Sequence, residues 1–377
     1  MIALVVLLAF GIGTVAKTQS SQRRFKELVS GDKIDNDRFR YWNSAIQIWH
    51  EDVWRGAGPA HYDQRFRQYR AESIQGRAQY VHNDYLNTLA DWGVIGLGLI
   101  AAFIAFFYVG VFKTWRFVQR NPHDFGARKS NKVAFVFGGS FAVLAMLFHS
   151  ALDFNMHIPA NAITLLVIIA VVTTYLRYAT ETFWVPLKIV GQILLTLVGV
   201  AGLVYLGQQS LRQTREEVWL RRAGKEKSLS DSKLEMLQQS FSVEPKNFEV
   251  AYSIGEIFRT RSWVGTSGYE SLTQEAMKWF QRSIDLNRYN PYSHLRYGMC
   301  LDWLGKTNEA APYFERAGKL DPNGYYTVAH QGWHLLQLGD YAGAKKQFER
   351  SQNLKSNPIA ESYLEIVEQK LADPTSR

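Results

Sequence analysis

One cysteine, Cys300, stands in a chain of 377 residues. A single thiol excludes an internal disulfide framework and any cysteine-rich zinc site. Acidic residues are also scarce, with 34 Asp and Glu against 43 Lys and Arg and a formal charge of +9. In a chain with long apolar runs, that excess points to cytoplasmic loops or lipid headgroups and gives little support to nucleic acid as a partner. The N-terminus lacks the positive n-region of a secretory signal, and Gly11 to Ala16 makes a poor cleavage context. No cluster of metal ligands is apparent, so neither a metal nor another cofactor is expected. With 47% apolar and 20% charged residues the chain is neither disordered nor fibrous, and its length suits two or three domains.

The mean hydropathy of −0.19 hides a split. Crossing a bilayer takes about 20 mostly apolar residues. Residues 94–112, 133–152, 162–176 with their flanks, and 184–206 meet that requirement, and Trp184 and Tyr205 suit its two interfaces. Residues 1–16 read as the last part of a membrane helix or a short anchor. Between the first two full spans, Lys113, Arg116, Arg120, Arg128, Lys129 and Lys132 face one acid, Asp124. The positive-inside rule makes that loop cytoplasmic. Alternation then puts residues 17–93, the turn at 153–161 and everything after 207 on the opposite face. The expected domains are a membrane helix at 1–16, a loop at 17–93, four spans within 94–207, and a C-terminal domain at 208–377.

Residues 272–355 repeat with a period of 34: Ala276, Ala310 and Ala344 fall in step, as do Phe280, Phe314 and Phe348, and Leu286, Leu320 and Leu354. Gly298 and Gly332 match as well. The pattern resembles the tetratricopeptide repeat, in which a small Ala and a large Phe one turn apart let paired helices nest. Earlier, degenerate copies are expected from about Leu234, with Pro245 closing a helix. The long interval from Gly255 to Ala276 predicts an inserted loop containing Trp263, Gly265 and Gly268. Stacked helix pairs form a groove that commonly takes a protein partner; a purely spacing role is the plainer alternative.

The stretch 17–93 is too long for a passive connection and is rich in Arg, Trp, Tyr and His. Asp37-Arg38-Phe39-Arg40-Tyr41-Trp42 opens an amphipathic helix, and Gly56-Ala57-Gly58-Pro59 reads as a turn rather than a dinucleotide loop. His82-Asn83, nine residues, Gly93, two residues and Gly96 then run into a membrane helix. That spacing matches the signature of the O-antigen ligase family, which includes lipopolysaccharide O-antigen ligases, O-antigen polymerases and bacterial protein O-oligosaccharyltransferases. The spacing from Arg38 to Trp42, the Gly-Ala-Gly-Pro turn and Tyr69-Arg70 resemble the upstream part of the same loop. The segment from His149 through Asp153 and His157 to Asn161 resembles members that end in tetratricopeptide repeats. The resemblance covers residues 1–206, and the chain looks like the C-terminal half of such a protein.

The resemblance implies an all-α, polytopic membrane bundle with a large extracytoplasmic helical loop and a C-terminal tetratricopeptide-type solenoid. It implies transfer of a glycan from a polyprenyl-diphosphate donor to a hydroxyl of a lipid-linked sugar, a growing chain or a protein, at the periplasmic face of the bacterial inner membrane. Membrane lipid and a protein partner for the repeats are the other expected contacts. Arg38 and Arg70 occupy positions where the family places arginines for the diphosphate, and a planar guanidinium suits such an anion. His82 is the candidate general base, since an imidazole can take a proton from a hydroxyl at neutral pH. Asn83, Tyr85, Trp42 and Asp153 are the candidate substrate contacts. Each has a plainer reading: Asn83 as a helix cap, Arg70 as part of a solvated basic run with Arg65 and Arg67, and Asp153 as part of a hydrogen-bonded turn. A non-catalytic, membrane-anchored scaffold is the alternative for the whole chain.

Overall fold

A computed structural model describes residues 36–119, 131–184, 186–264 and 268–372, and every element among them is helical. The expected helix at 1–16 lies outside the described residues, as do Arg120, Asp124, Arg128 and Lys129 of the basic loop. The loop contributes α1 (Asn36–Glu51) and α2 (Tyr62–Tyr69). The membrane part contributes α3 (Asp84–Gln119), α4 (Asn131–Ser150), a short 3-10 turn (Asn155–His157), α5 (Pro159–Ala179) and α6 (Ile189–Ala223). Then follow α7 (Asp231–Val243), α8 (Phe248–Trp263), α9 (Tyr269–Leu286), α10 (Pro291–Trp303), α11 (Thr307–Leu320), α12 (Tyr325–Gln337), α13 (Tyr341–Leu354) and α14 (Pro358–Ala372).

Four of these helices, α3 to α6, are long and apolar enough to cross a membrane, which makes this a multi-pass membrane protein. Phe107 and Val111 of α3, Val136 and Val143 of α4, and Leu165, Ile169 and Val172 of α5 share one core. Outside that seam their apolar side chains are exposed, as lipid solvent requires. No residue in the apolar half of α6 is buried, and α6 packs on none of the other three. At 35 residues α6 is about 50 Å long, well beyond a hydrocarbon core of about 30 Å. Its polar second half therefore continues out of the membrane and packs on α7, with Arg212 held 2.9 Å from Glu244.

A break in α3 sets the geometry of the loop. Gly93 has φ 63 and ψ −166, outside any helix, so the segment from Asp84 to Trp92 belongs to the loop domain and the rest to the membrane. Four backbone groups left without helical partners are satisfied by the turn that follows α1. The N–H groups of Val94 and Ile95 donate to the carbonyls of Val53 and Trp54, at 2.9 and 3.2 Å. Ala57 and Gly58 N–H donate to the carbonyls of Ala90 and Asp91, at 2.8 and 2.9 Å. Two backbone segments this close leave no room for side chains at the crossing. A Cβ on Gly56 would lie 2.7 Å from the backbone of Asp91 and Trp92, and one on Gly93 would fall on the Trp54 carbonyl. The glycines of Gly-Ala-Gly-Pro and of the His82 motif are thus two sides of one backbone crossing.

The C-terminal helices form antiparallel pairs, as the 34-residue period predicts. Ala276, Ala310, Ala344, Phe280 and Phe348 are fully buried, and Phe314 nearly so. Each phenylalanine sits on a glycine of the preceding helix: a Cβ on Gly255 would meet Phe280 at 2.7 Å, on Gly298 Phe314 at 2.8 Å, and on Gly332 Phe348 at 3.1 Å. Ahead of the pair α8 and α9, α7 starts just before Leu234 and packs against the polar half of α6, and Pro245 lies between α7 and α8. The predicted insertion after Gly255 takes a different form. The first pair has helices of 16 and 18 residues where the next has 13 and 14, so most of the extra length is helix rather than loop. Trp263 ends α8, Gly268 (φ 97) precedes α9, and Gly265 lies outside the described residues.

Candidate active site

The loop folds on a small core of Ala45, Ile48, Tyr62, Phe66, Ile74, Val81 and Ala90, which fixes α1 and α2 against the first turns of α3. His82 immediately follows the buried Val81 and adopts φ 56, a left-handed conformation that costs a non-glycine residue free energy. Such strain persists only where the surroundings over-determine it. Here they do. Trp42 Nε1–H donates to the His82 carbonyl at 3.4 Å, Tyr41 stacks on the imidazole at 5.9 Å, and Phe154 meets it edge-on at 4.9 Å.

The strained backbone presents the ring to Asp153. His82 Nδ1 lies 3.3 Å from Asp153 Oδ1, and both side chains remain 34% exposed. Asp153 belongs to the turn between α4 and α5. Burial works to raise its carboxyl, but the Phe154 N–H at 2.9 Å, the His82 ring and the Arg38 charge outweigh it and hold the group below its ordinary value. An ionised Asp153 holds the proton of a neutral His82 on Nδ1 and leaves the Nε2 lone pair free. Arg38, from the first turns of α1, donates through Nη1 to the Leu152 carbonyl at 2.9 Å, so its cation sits beside the same turn. Arg38, Trp42, His82 and Asp153 therefore come together, although up to 115 residues separate them in sequence.

The other three candidates are placed differently. Asn83 Oδ1 accepts from the N–H groups of Tyr85 and Leu86, both at 3.0 Å, and caps the helix that follows His82. The Tyr85 hydroxyl donates to the Leu147 carbonyl at 2.7 Å and ties α3 to α4. Arg70 does not open toward His82. Its side chain is 3% exposed, and Nη2 lies 2.7 and 2.8 Å from the two oxygens of Asp321, itself fully buried in the solenoid. The charge of Arg70, expected at the donor diphosphate, is met here by a carboxylate within the chain.

His149, Asp153 and His157 do not share one helix: α4 ends at Ser150 and Pro159 opens α5, so Asp153 lies in a hydrogen-bonded turn, the plainer reading of the sequence. Asp153 turns to His82, and His157 Nδ1 pairs with Asp84 Oδ1 at 2.9 Å. Asp84 Oδ2 also accepts the Met156 N–H at 3.0 Å, which pins the turn that delivers Asp153. Among the described residues no group of His, Cys, Asp or Glu is arranged to hold a metal ion. The sequence reading passed over Tyr41, Tyr80 and Phe154. Tyr80 stacks on Phe154 at 4.9 Å and contacts His157 at 4.8 Å, completing an aromatic wall behind the imidazole. Tyr41 carried a signal, since it lies between Arg38 and Trp42 on the face of α1 turned to the loop core.

The O-antigen ligase family model matches residues 1–101, a segment that includes Arg38, Trp42, Arg70 and His82 but not Asp153. No curated protein matches the chain. Among solved structures, a thermophilic tetratricopeptide-repeat protein of Thermus thermophilus is similar at 13% identity and a TM-score of 0.35, over 37% of this chain and 73% of that one. At that score the likeness carries no argument, and the repeat fold rests on the glycine–phenylalanine register of the helix pairs. Residues 1–101 match the O-antigen ligase family model, as the His82 motif implied, and a helical-repeat solenoid follows in the same chain.

Proposed function

We propose that this protein transfers a glycan from a polyprenyl-diphosphate donor to an acceptor hydroxyl at the periplasmic face of the bacterial inner membrane. The observation that carries the reading is the strained His82, oriented by an ionised Asp153 with the Arg38 cation beside the same turn. Nε2 of His82 takes the proton of the acceptor hydroxyl as its oxygen attacks the anomeric carbon. The bond from that carbon to the diphosphate oxygen breaks, and its electron pair leaves with the polyprenyl diphosphate. Arg38 stabilises the charge that gathers on this leaving group, and His82 later releases its proton to water. Attack opposite the leaving group inverts the anomeric centre. General-base help of this kind is worth about 10²–10⁴ in rate.

Sidedness supports the reading. The loop, the 151–158 turn and the solenoid touch one another and so share one face of the membrane, the face opposite the basic residues Lys113, Arg116 and Lys132. A pure scaffold would have no use for an imidazole held in a costly conformation beside an ionised carboxylate. The test is complementation of a ligase-deficient strain with the full reading frame, comparing the native protein with His82→Ala and Arg38→Ala. The native protein restores glycan transfer and both variants lose it; wild-type transfer by either variant overturns that residue's role.

A further inference from the structure

The longest-range contacts in the chain lie between the loop and the solenoid, and they are regularly spaced. Asn287 and Asp321 are equivalent positions of successive repeats, 34 residues apart, each at the end of a second helix. Asn287 Nδ2 donates to Gln64 Oε1 at 3.0 Å, and Asp321 receives Arg70. Gln64 and Arg70 are separated by six residues, or about 9 Å along a helix, and neighbouring helices pack about 8–10 Å apart. The segment from α2 to Arg70 thus runs along the stacking direction and meets the same position of consecutive repeats. Between these two ends, the guanidinium of Arg65 lies 4.0 Å over the ring of Tyr289, and that of Arg67 4.9 Å over Tyr292.

Beyond Arg70 the contact continues. Asn323 Nδ2 donates to the Arg70 carbonyl at 2.9 Å, Gln75 Nε2 donates to the Asn323 carbonyl at 2.8 Å, and the Tyr325 N–H donates to Gln75 Oε1 at 3.1 Å. On its other side α2 holds α1. Ser44 donates to the Tyr69 carbonyl at 3.1 Å, the Tyr69 hydroxyl donates to Glu51 at 2.6 Å, and Arg65 pairs with Glu51. A continuous path of polar contacts therefore leads from the solenoid through α2 to the helix that carries Arg38 and Trp42.

We propose that Arg70 and Asp321 form a positioning pair, through which the solenoid holds α1 and its catalytic side chains in register with His82. This rests on the transfer reaction proposed above for its functional consequence, though not for its geometry. Arg70 acts on the reaction through Asp321 and touches no substrate. The pair is suited to specifying one docked arrangement: each charge is buried, and loss of either leaves the other without compensation. Thr327 Oγ1 donates to Asp321 Oδ2 at 2.9 Å and fixes the carboxylate to receive the guanidinium. The solenoid is thereby part of the enzyme's working geometry, and its removal or displacement is felt at His82.

The test uses the purified full chain in lipid nanodiscs, with hydrogen exchange read over residues 36–49 and 62–78. Asp321→Asn and Arg70→Met raise exchange in both segments by about tenfold, and the swap of Arg70→Asp with Asp321→Arg restores most of the protection. In glycan transfer the single variants lose turnover with donor KM nearly unchanged, and the swap regains it. Unchanged exchange over residues 36–49 in the single variants overturns the proposal. So does a swapped protein that is protected but as inactive as Arg70→Met, because Arg70 would then touch substrate. Gln75→Ala and Asn323→Ala loosen the same contact without burying a charge, and give the same answer if the swapped chain does not fold. If the native protein transfers no glycan, the proposed function fails, while the exchange measurement still decides the clamp.

Discussion

Replacing Asp153 with asparagine tests the chemistry with almost no change of shape. In the proposed transfer the imidazole gains positive charge as it takes the acceptor proton, and Asp153 Oδ1 stands 3.3 Å from Nδ1. At that distance two unit charges attract by about 1 kcal/mol in water and about 5 kcal/mol at an effective dielectric of 20. Both side chains are one-third open to solvent, so screening keeps the useful part near the lower end, about 1–2 kcal/mol. Loss of that attraction slows turnover about tenfold. An asparagine can also present its amide N–H to Nδ1 and favour the tautomer with the proton on Nε2, which removes the base altogether and deepens the loss to about 10²–10⁴. The assay is single-turnover transfer from a radiolabelled polyprenyl-diphosphate glycan with membranes containing equal amounts of each protein. Asp153→Glu retains a charge and recovers part of the rate. An Asp153→Asn protein that turns over at the native rate refutes the role of the carboxylate, and with it the assignment of Nε2 as the reacting atom.

Three further outcomes follow from the packing. Gly93→Ala places a methyl on the Trp54 carbonyl at a backbone angle that only glycine adopts comfortably, and costs about 3 kcal/mol or more; Gly98→Ala, which meets nothing within 4 Å, is neutral in the same thermal unfolding assay. Gly298→Val drives a side chain into Phe314, already 2.8 Å from a bare Cβ, and lowers the melting temperature of the solenoid, read through the reactivity of the buried Cys300 thiol, whose pKa burial pushes up to about 12. Burial, with the nearby Arg296 charge, pulls His330 down to about 3 from its ordinary 6.5. Its contribution to stability is full above pH 6.5 and is lost as pH falls toward the folded value, about 2–3 kcal/mol between pH 7.5 and pH 4.5, and His330→Gln flattens that part of the native curve.

Patterns that repeat locally were legible in the sequence, and partners brought together by folding were not. The four spans declare themselves because lipid demands long apolar runs, and the solenoid because Ala276, Ala310 and Ala344 must each admit a neighbouring helix. The motif located His82, and the position of Asp153 beside a membrane boundary marked it for attention, but no spacing announces that residues 71 apart will pair. Arg70 read as a diphosphate contact by resemblance and, with Arg65 and Arg67, as a solvated basic run by composition, since a charge cluster ordinarily faces water. Tyr289, Tyr292 and Asp321, more than 200 residues later, take them instead. The break at Gly93 was half legible. The motif spacing picked out its glycine, yet the approaching chain is the Gly56 turn, and the need for glycine on both sides appears only when the two backbones cross.

The solenoid is attached to the membrane part at two separate places, and this limits what it can do. Its first pair is continuous with α6, which rises from the bilayer and is clamped to α7 by Arg212 and Glu244. Its middle turns, around Asn287 and Asp321, rest on α2. A repeat stack tied at one end would swing freely and transmit nothing to the loop. Tied at two points, it behaves as a lever whose flexing changes the load on α2, because each repeat contacts only its neighbours and bending accumulates along the stack. The α2 contacts use the turns at one edge of the stack. A separate hollow of about 370 Å³, lined by Arg259, Trp263, Trp333 and Tyr363, stays open beside them. An occupant of that hollow would stiffen α8, α12 and α14 together without meeting the loop, and its influence on the loop would pass through the contacts that α2 and the residues after it make with the solenoid, Asp321 among them. Uncoupling the pair at Arg70 should therefore weaken any effect of such an occupant while leaving its affinity for the solenoid intact.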